Sequence, residues 1–209
     1  MAVSQKKKDI LAILEKTYED RGTALNYDSE YELLVAVILS AQCTDVRVNI
    51  VTERLFKDYN TPEKILSLGQ DKLEEYIKSC GLFHSKAKNI LASSEIICRD
   101  YNGEVPQNFD DLIKLPGVGR KTANVVMSNL FNTPAIAVDT HVFRVANRLE
   151  LAKGKTPLEV EKGLMKVIPK DKWSSAHHWL IWHGRNVCKA QRPLCASCEI
   201  KDLCKSAKV

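Results

Sequence analysis

Four of the seven cysteines fall close together near the end of the chain, as Cys188-x6-Cys195-x2-Cys198-x5-Cys204. Thiols clustered in this way, in an odd total, suit a metal better than disulfides. Four thiolates can hold a tetrahedral zinc ion or an iron–sulfur cluster. Zinc sites usually pair two short Cys-Cys hairpins, whereas here only Cys195 and Cys198 are close. The wide first gap suits a larger cubane better. Arg185, Lys189, Arg192, Lys201 and Lys205 lie around the thiols. Cys43, Cys80 and Cys98 stand singly within apolar helical patterns and read as small buried hydrophobes.

A second constellation is Leu115-Pro116-Gly117-Val118-Gly119-Arg120-Lys121-Thr122-Ala123. Glycines one residue apart in a helix–turn–helix allow positive φ and a close approach by another backbone. The first amides of the following helix lack an intrahelical acceptor and point out of its positive end, a setting suited to a phosphate. An ordinary tight connection is the plainer alternative. Basic residues favour the phosphate. From Leu112 to Lys155 there are seven Lys and Arg against two acids, a surplus of +5 equal to that of the whole chain. Pro116, Gly117, Val118, Gly119 and Arg120 are therefore expected to hold phosphate backbone rather than read bases.

Two single residues complete the set. Lys121 stands in the first turn of that second helix, beside Arg120. The helix dipole and the neighbouring cation both disfavour its charge, which favours the free amine that a Schiff-base nucleophile needs. A solvent-facing phosphate contact is the alternative. Asp139 heads the helix Thr140-His141-Val142-Phe143-Arg144, where an aspartate cap needs no further reason. Yet the apolar run Ala135 to Val138 delivers this carboxylate to its place, and between two basic helix starts it can move a proton or stabilise a cation.

The elements that must position these groups read as helices. The 209 residues are 44% hydrophobic with nine Gly and seven Pro, which excludes a disordered tail or a fibrous repeat. Net charge is +5, a mild surplus that permits a polyanion partner. The longest uncharged run, Thr122 to Val138, contains three Asn, two Thr and a Pro, and cannot span a bilayer. No apolar stretch of signal-peptide length follows the N-terminal lysines, so neither secretion nor membrane insertion is expected.

Periodicity is helical nearly throughout. Ile10, Leu11, Ile13 and Leu14 form the first stripe. Ser29 with Glu32 is a capping box opening a buried helix to Ala41. Thr44 starts another to about Tyr59, and Thr61-Pro62 heads a short one. Gly81 ends the next, and Ser85 begins a long helix to about Arg99. Asn108 caps a short helix, Arg120 to Phe131 is helical, and Asp139 caps a helix to Leu149. Pro157 to Ile168 and Trp173 to His183 follow. Ala135 to Val138 is too short to found a sheet. The class is all-α.

In this order, the glycine turn, Lys121, Asp139 and the cysteine loop closely resemble the endonuclease III family. These are DNA glycosylases with apurinic/apyrimidinic lyase activity in the helix–hairpin–helix superfamily. Leu115 to Ala123 reads as the family's hairpin, Val138 to Val142 as its catalytic-aspartate segment, and the cysteine spacing as its 4Fe–4S loop. Ser40-Ala41-Gln42 with Thr44-Asp45, and Gly81-Leu82-Phe83 before Lys86-Ala87, match family segments that meet DNA.

The resemblance implies two helical domains. One is a six-helix domain over about 23–132, with the hairpin at about 108–131. The other is built from 1–22 and 133–209, with a 4Fe–4S loop held by Cys188, Cys195, Cys198 and Cys204. It implies an active-site cleft between them with Lys121 and Asp139 as catalytic residues. Gln42 would fill the space left by a flipped nucleotide, Leu82 would wedge the stack, and His141 would touch DNA. Gln42 as a plain helix-end residue and Leu82 as core are the alternatives. The expected partner is double-stranded DNA carrying damaged pyrimidines or abasic sites, bound by a monomer in the bacterial cytoplasm, on the nucleoid. Two rivals stand beside this reading. A monofunctional mismatch glycosylase lacks a lysine at the position of Lys121. A non-enzymatic DNA-binding protein with a zinc loop leaves Lys121 and Asp139 as accidents.

Overall fold

Helices, and no strands, make up the secondary structure of the described residues, which are 3–19 and 21–208 of this computed structural model. The outer ends of the second expected domain, at 1 and 209, lie outside them. Backbone contacts divide the chain into two units, Ala24–Phe131 and Met1–Thr23 with Asn132–Val209. Among the described residues, no helix is long and apolar enough to cross a membrane.

The unit Ala24–Phe131 is organised around α2 (Glu30–Ser40), in which Tyr31 through Leu39 are all buried. A helix apolar on every side belongs at the centre of its unit. Ser29 caps it by accepting from the Glu32 amide at 3.2 Å. The return half of the expected capping box differs. The Glu32 carboxylate accepts from the amide of Asp28, one residue before the cap, at 2.6 Å. Thr44 caps α3 (Asp45–Phe56) and Thr61 caps α4 (Pro62–Ile77). Gly69, with φ of 71°, breaks α4 into two stretches. The long helix α5 spans Phe83–Tyr101, two residues longer at each end than the periodicity suggests. Its N-cap is Leu82 in the left-handed region, and its C-cap Asn102 is left-handed too. Asn108 caps the single turn α6 (Phe109–Leu112), and α7 (Arg120–Leu130) follows the glycine turn. Cys43 and Cys80 sit in the turns after α2 and α4, not within helices as their apolar neighbours suggest; Cys98 is helical.

In the other unit, α1 (Gln5–Tyr18) buries Ile10 and Leu14. Helices α8 (Thr140–Arg148), α9 (Pro157–Met165) and α10 (Trp173–Asn186) follow. Their shared core takes in Val142, Val145, Leu149, Leu164, Trp179 and Leu180. Burying each such side chain contributes about 1.5–3 kcal/mol, and the cysteine segment adds to the same core through Ile200, with Cys188, Cys198, Leu203 and Cys204 packed against it. That segment has only two short 3-10 turns, Cys195–Ser197 and Lys201–Leu203.

Candidate functional site

The glycine turn is built from its backbone outwards. Leu115 and Val118 are buried, and the Val118 amide donates to the Leu115 carbonyl at 3.0 Å, which closes the turn. Gly117 takes φ of +81°, and a Cβ there would lie 3.0 Å from the Asn89 side chain. Both facts require glycine. Gly119 differs: its φ is −88° and a Cβ would meet nothing within 4 Å. It is the N-cap of α7 and supplies no side chain to the first amides, at the positive end of the helix. The guanidinium of Arg120 lies 5.1 Å over the ring of Phe109. Lys121 is exposed at the head of α7.

The Pro116 carbonyl accepts from the buried Ser93 hydroxyl of α5 at 2.7 Å. Ser93 and Asn89 thus seat the hairpin, although neither stands out in the sequence. The available signal was a polar stripe, Lys86, Asn89 and Ser93, at helical spacing beside the apolar face of Ala87, Ile90 and Ile97.

Gln42 and Leu82 both adopt left-handed backbone, with φ of 53° and 59°. Gln42 is exposed, and Leu82 is 59% exposed, which removes it from the core. For residues other than glycine this conformation costs of order 1–3 kcal/mol and gathers at functional sites. A Cβ on Gly81 would stand 3.3 Å from the Gln42 carbonyl oxygen, so the two turns touch through their backbones. Within this unit the structure brings Gln42 and Leu82 together and seats the hairpin against the same helix, α5.

In the second unit Asp139 is half-buried, and its Oδ1 accepts from the Val142 amide at 2.7 Å. Ile136, Ala137 and Val138 before it are all buried, which fixes the approach of the chain. His141 Nδ1 lies 3.1 Å from Arg144 Nη2. At Gly184 a Cβ would lie 2.9 Å from that of His141, so α8 and α10 meet at close range there.

The basic surplus between residues 112 and 155 is not one phosphate-facing patch. Lys114 pairs with Asp111 and Lys153 with Glu150, each at 2.6 Å. Arg144 donates to the carbonyls of Cys188 at 3.0 Å and Gly184 at 2.9 Å. Arg148 donates to those of Lys189 at 2.7 Å and Ala190 at 3.0 Å, and its Nη1 lies 3.5 Å from Cys188 Sγ. These two arginines bind the cysteine segment to α8. Counting charges along the chain could not distinguish this from contact with an outside anion.

Cys188, Cys195, Cys198 and Cys204 are all half-buried free thiols lining one pocket, together with Arg148 and His183. Mutual repulsion of the other three adds to burial in raising the Cys198 thiol. Yet among the described residues no three His, Cys, Asp or Glu side chains converge closely enough for one metal ion. His183 Nε2 is 3.9 Å from Cys198 Sγ, and its Nδ1 is 3.2 Å from the Tyr18 hydroxyl. Burial pushes His183 down to about 4 and Tyr18 up to about 12, so both are neutral near pH 7. Of the apolar residues in the loop only Ile200 is fully buried, and Leu194 is exposed. Lys189 and Arg192 are exposed, whereas Lys201 is half-buried with its ammonium 3.5 Å from the Ala196 carbonyl.

Comparison with known proteins matches residues 35–170 to the HhH-GPD superfamily of base excision DNA repair proteins. Endonuclease III of Rickettsia conorii is 56% identical over 93% of each chain. The Escherichia coli K12 enzyme of the same name is 50% identical over 95% of this chain and 94% of its own. A solved structure of a trapped endonuclease III–DNA covalent intermediate superposes with a TM-score of 0.94 at 49% identity, covering 99% of this chain and 98% of that one. A thermostable thymine-DNA glycosylase, at 24% identity and a TM-score of 0.86, shares the fold.

Proposed function

The chain belongs to the endonuclease III family of the HhH-GPD superfamily, and on that premise we propose that it is a bifunctional DNA glycosylase and apurinic/apyrimidinic lyase of base excision repair. Its substrates are oxidised, ring-saturated or fragmented pyrimidines and abasic sites in double-stranded DNA, bound by a monomer in the bacterial cytoplasm, on the nucleoid. The observation that carries the reading is an exposed lysine, Lys121, in the first turn of a helix whose glycine N-cap brings no capping side chain. The covalent DNA complex of a 49% identical relative supports the same chemistry.

The hairpin Pro116 to Arg120 holds backbone phosphate, and the target nucleotide is flipped out at a cost of a few kcal/mol, least where stacking is already poor. Gln42 enters the vacated space, Leu82 wedges the neighbouring stack, and His141 adds a DNA contact. The neutral amine of Lys121 attacks C1′ of the deoxyribose and the base leaves with the C1′–N bond electrons; the C1′–O4′ bond then breaks, O4′ takes a proton, and the nitrogen lone pair closes the protonated Schiff base. That iminium acidifies C2′. Loss of a C2′ proton then expels the 3′ phosphate by β-elimination and cuts the strand on the 3′ side of the lesion. Asp139 acts through Oδ2, its other oxygen being engaged with Val142. It takes the lysine proton or balances the cationic charge. A panel of single-lesion duplexes tests the whole reading. Oxidised pyrimidines should be released and the nick should carry an unsaturated 3′ aldehyde, whereas base release without strand cleavage would reduce the enzyme to a monofunctional glycosylase.

Cys188, Cys195, Cys198 and Cys204 hold one 4Fe–4S cluster in this reading. Thiols that line a pocket without converging on one point support a cluster of several irons over a single zinc. When bound, the cluster supplies four iron–thiolate bonds that cross-link a loop with too little apolar burial to order itself. The ordered loop presents Lys189 and Arg192, and Lys201 less fully, to the DNA backbone. About four irons and four acid-labile sulfides per chain are expected. One zinc without sulfide overturns the assignment. Cys198→Ser should bleach the protein and loosen the segment after α10.

A further inference from the structure

Helix α5 carries a lysine that the mechanism does not use. Lys86 is only 4% exposed, and its Nζ donates to the Leu39 carbonyl at 2.8 Å. A buried ammonium with a carbonyl partner is costly, and this one also sits in the first turn of α5, where the dipole opposes it. Burial accordingly lowers its pKa. Such a placement needs a compensating role.

The role is visible at the end of α2, whose last carbonyls have no partner within the helix. Val37 accepts from the Ser40 hydroxyl at 2.7 Å, Ile38 from the Ala41 amide at 3.4 Å, and Ser40 from the Cys43 amide at 3.1 Å. Leu39 is served by Lys86 from another helix. This carbonyl lies three residues before Gln42. The same residue's backbone amide donates to the Leu82 carbonyl at 3.0 Å, closing the first turn of α5 onto Leu82. Lys86 therefore grips both turns, one through its side chain and one through its main chain, where they touch at Gly81 and Gln42.

We propose that Lys86 is the positioning residue that holds Gln42 and Leu82 in their left-handed conformations as one DNA-probing pair. This rests on the assignment of Gln42 and Leu82 as residues that enter the duplex. Lys86 itself touches neither the sugar nor the base. Its contribution is to spare each turn the search for a strained geometry at the moment of binding.

The measurement is affinity for a duplex with a tetrahydrofuran abasic analogue, divided by affinity for the same duplex undamaged. A merely structural lysine lowers both, whereas a positioning lysine lowers the ratio. Gln42→Ala with Leu82→Ala should reduce the ratio about tenfold or more, and Lys86→Met about as much. Lys86→Gln, which keeps an N–H donor, should recover part of it and also stands in should the methionine variant not fold. In the Gln42→Ala, Leu82→Ala background, Lys86→Met should cost nothing further. A ratio within threefold of the parent for both Lys86 variants overturns the proposal, as does a full additional loss in the doubly substituted background. If Gln42→Ala with Leu82→Ala leaves the ratio intact, the assignment of that pair fails instead, and the proposal with it.

Discussion

The starts of α7 and α8 are built on opposite plans. Asp139 closes its own helix: the carboxylate takes the Val142 amide at 2.7 Å, so the positive terminus already has its anion. Gly119 closes nothing. It brings no capping side chain to the helix start at Arg120 and Lys121, in a turn that Gly117 and Ser93 hold in place. One terminus has an anion of its own, and the other has no capping side chain, the setting in which an outside phosphate is expected to bind. The comparison teaches that the two helix starts offer different chemistry, one a carboxylate partly engaged by its own helix and the other a positive terminus whose cap residue has no side chain. Ser29, Thr44, Thr61, Asn108 and Thr156 cap five other helices here in the ordinary way.

The sharpest way to break the contrast is at Lys121. Borohydride reduction with abasic DNA should trap a protein–DNA adduct, and Lys121→Gln should abolish it while leaving the fold intact, because the residue is exposed. An adduct at full yield from that variant assigns the nucleophile elsewhere. At α8 the test must keep the cap. Asp139→Asn retains a good capping residue, so the protein should melt normally while base excision falls about a hundredfold or more. Cleavage of preformed abasic sites should fall less. Unchanged excision in Asp139→Asn leaves only a cap.

The glycines give smaller effects and separate fold from function. Gly117→Val forces φ of +81° on a β-branched residue and meets Asn89, and should destabilise the protein by about 1–3 kcal/mol. Gly119→Ala has space and an ordinary φ, so stability should change by less than about 1 kcal/mol. Its binding to damaged and undamaged duplex should nonetheless weaken together, because a phosphate needs the room a methyl group takes. Loss confined to one lesion type would falsify the phosphate assignment.

Much of this was legible along the chain. Capping residues and apolar spacing marked the helices, with errors at ends such as Ser85, where left-handed Leu82 starts α5 earlier than the pattern shows. Cys43 and Cys80 read as helical because apolar neighbours look alike in a helix and in a buried turn. The anchoring roles of Lys86, Ser93, Arg144 and Arg148 were not legible, for one shared reason. Each donates to a backbone carbonyl, and a carbonyl has no residue identity to be read.

What the sequence determined by itself was therefore local: an all-helical chain, a hairpin that only glycine permits, a lysine behind it, a capping aspartate and four spaced thiols. Spacing along the backbone limits what neighbours can reach, and these features are made by neighbours. Tertiary structure alone decided which cations turn inward to hold loops and which remain at the surface. It also decided that Gln42 and Leu82, 40 positions apart, share one anchor. Charge and polarity are properties of a residue, but the partner that satisfies them is chosen by packing.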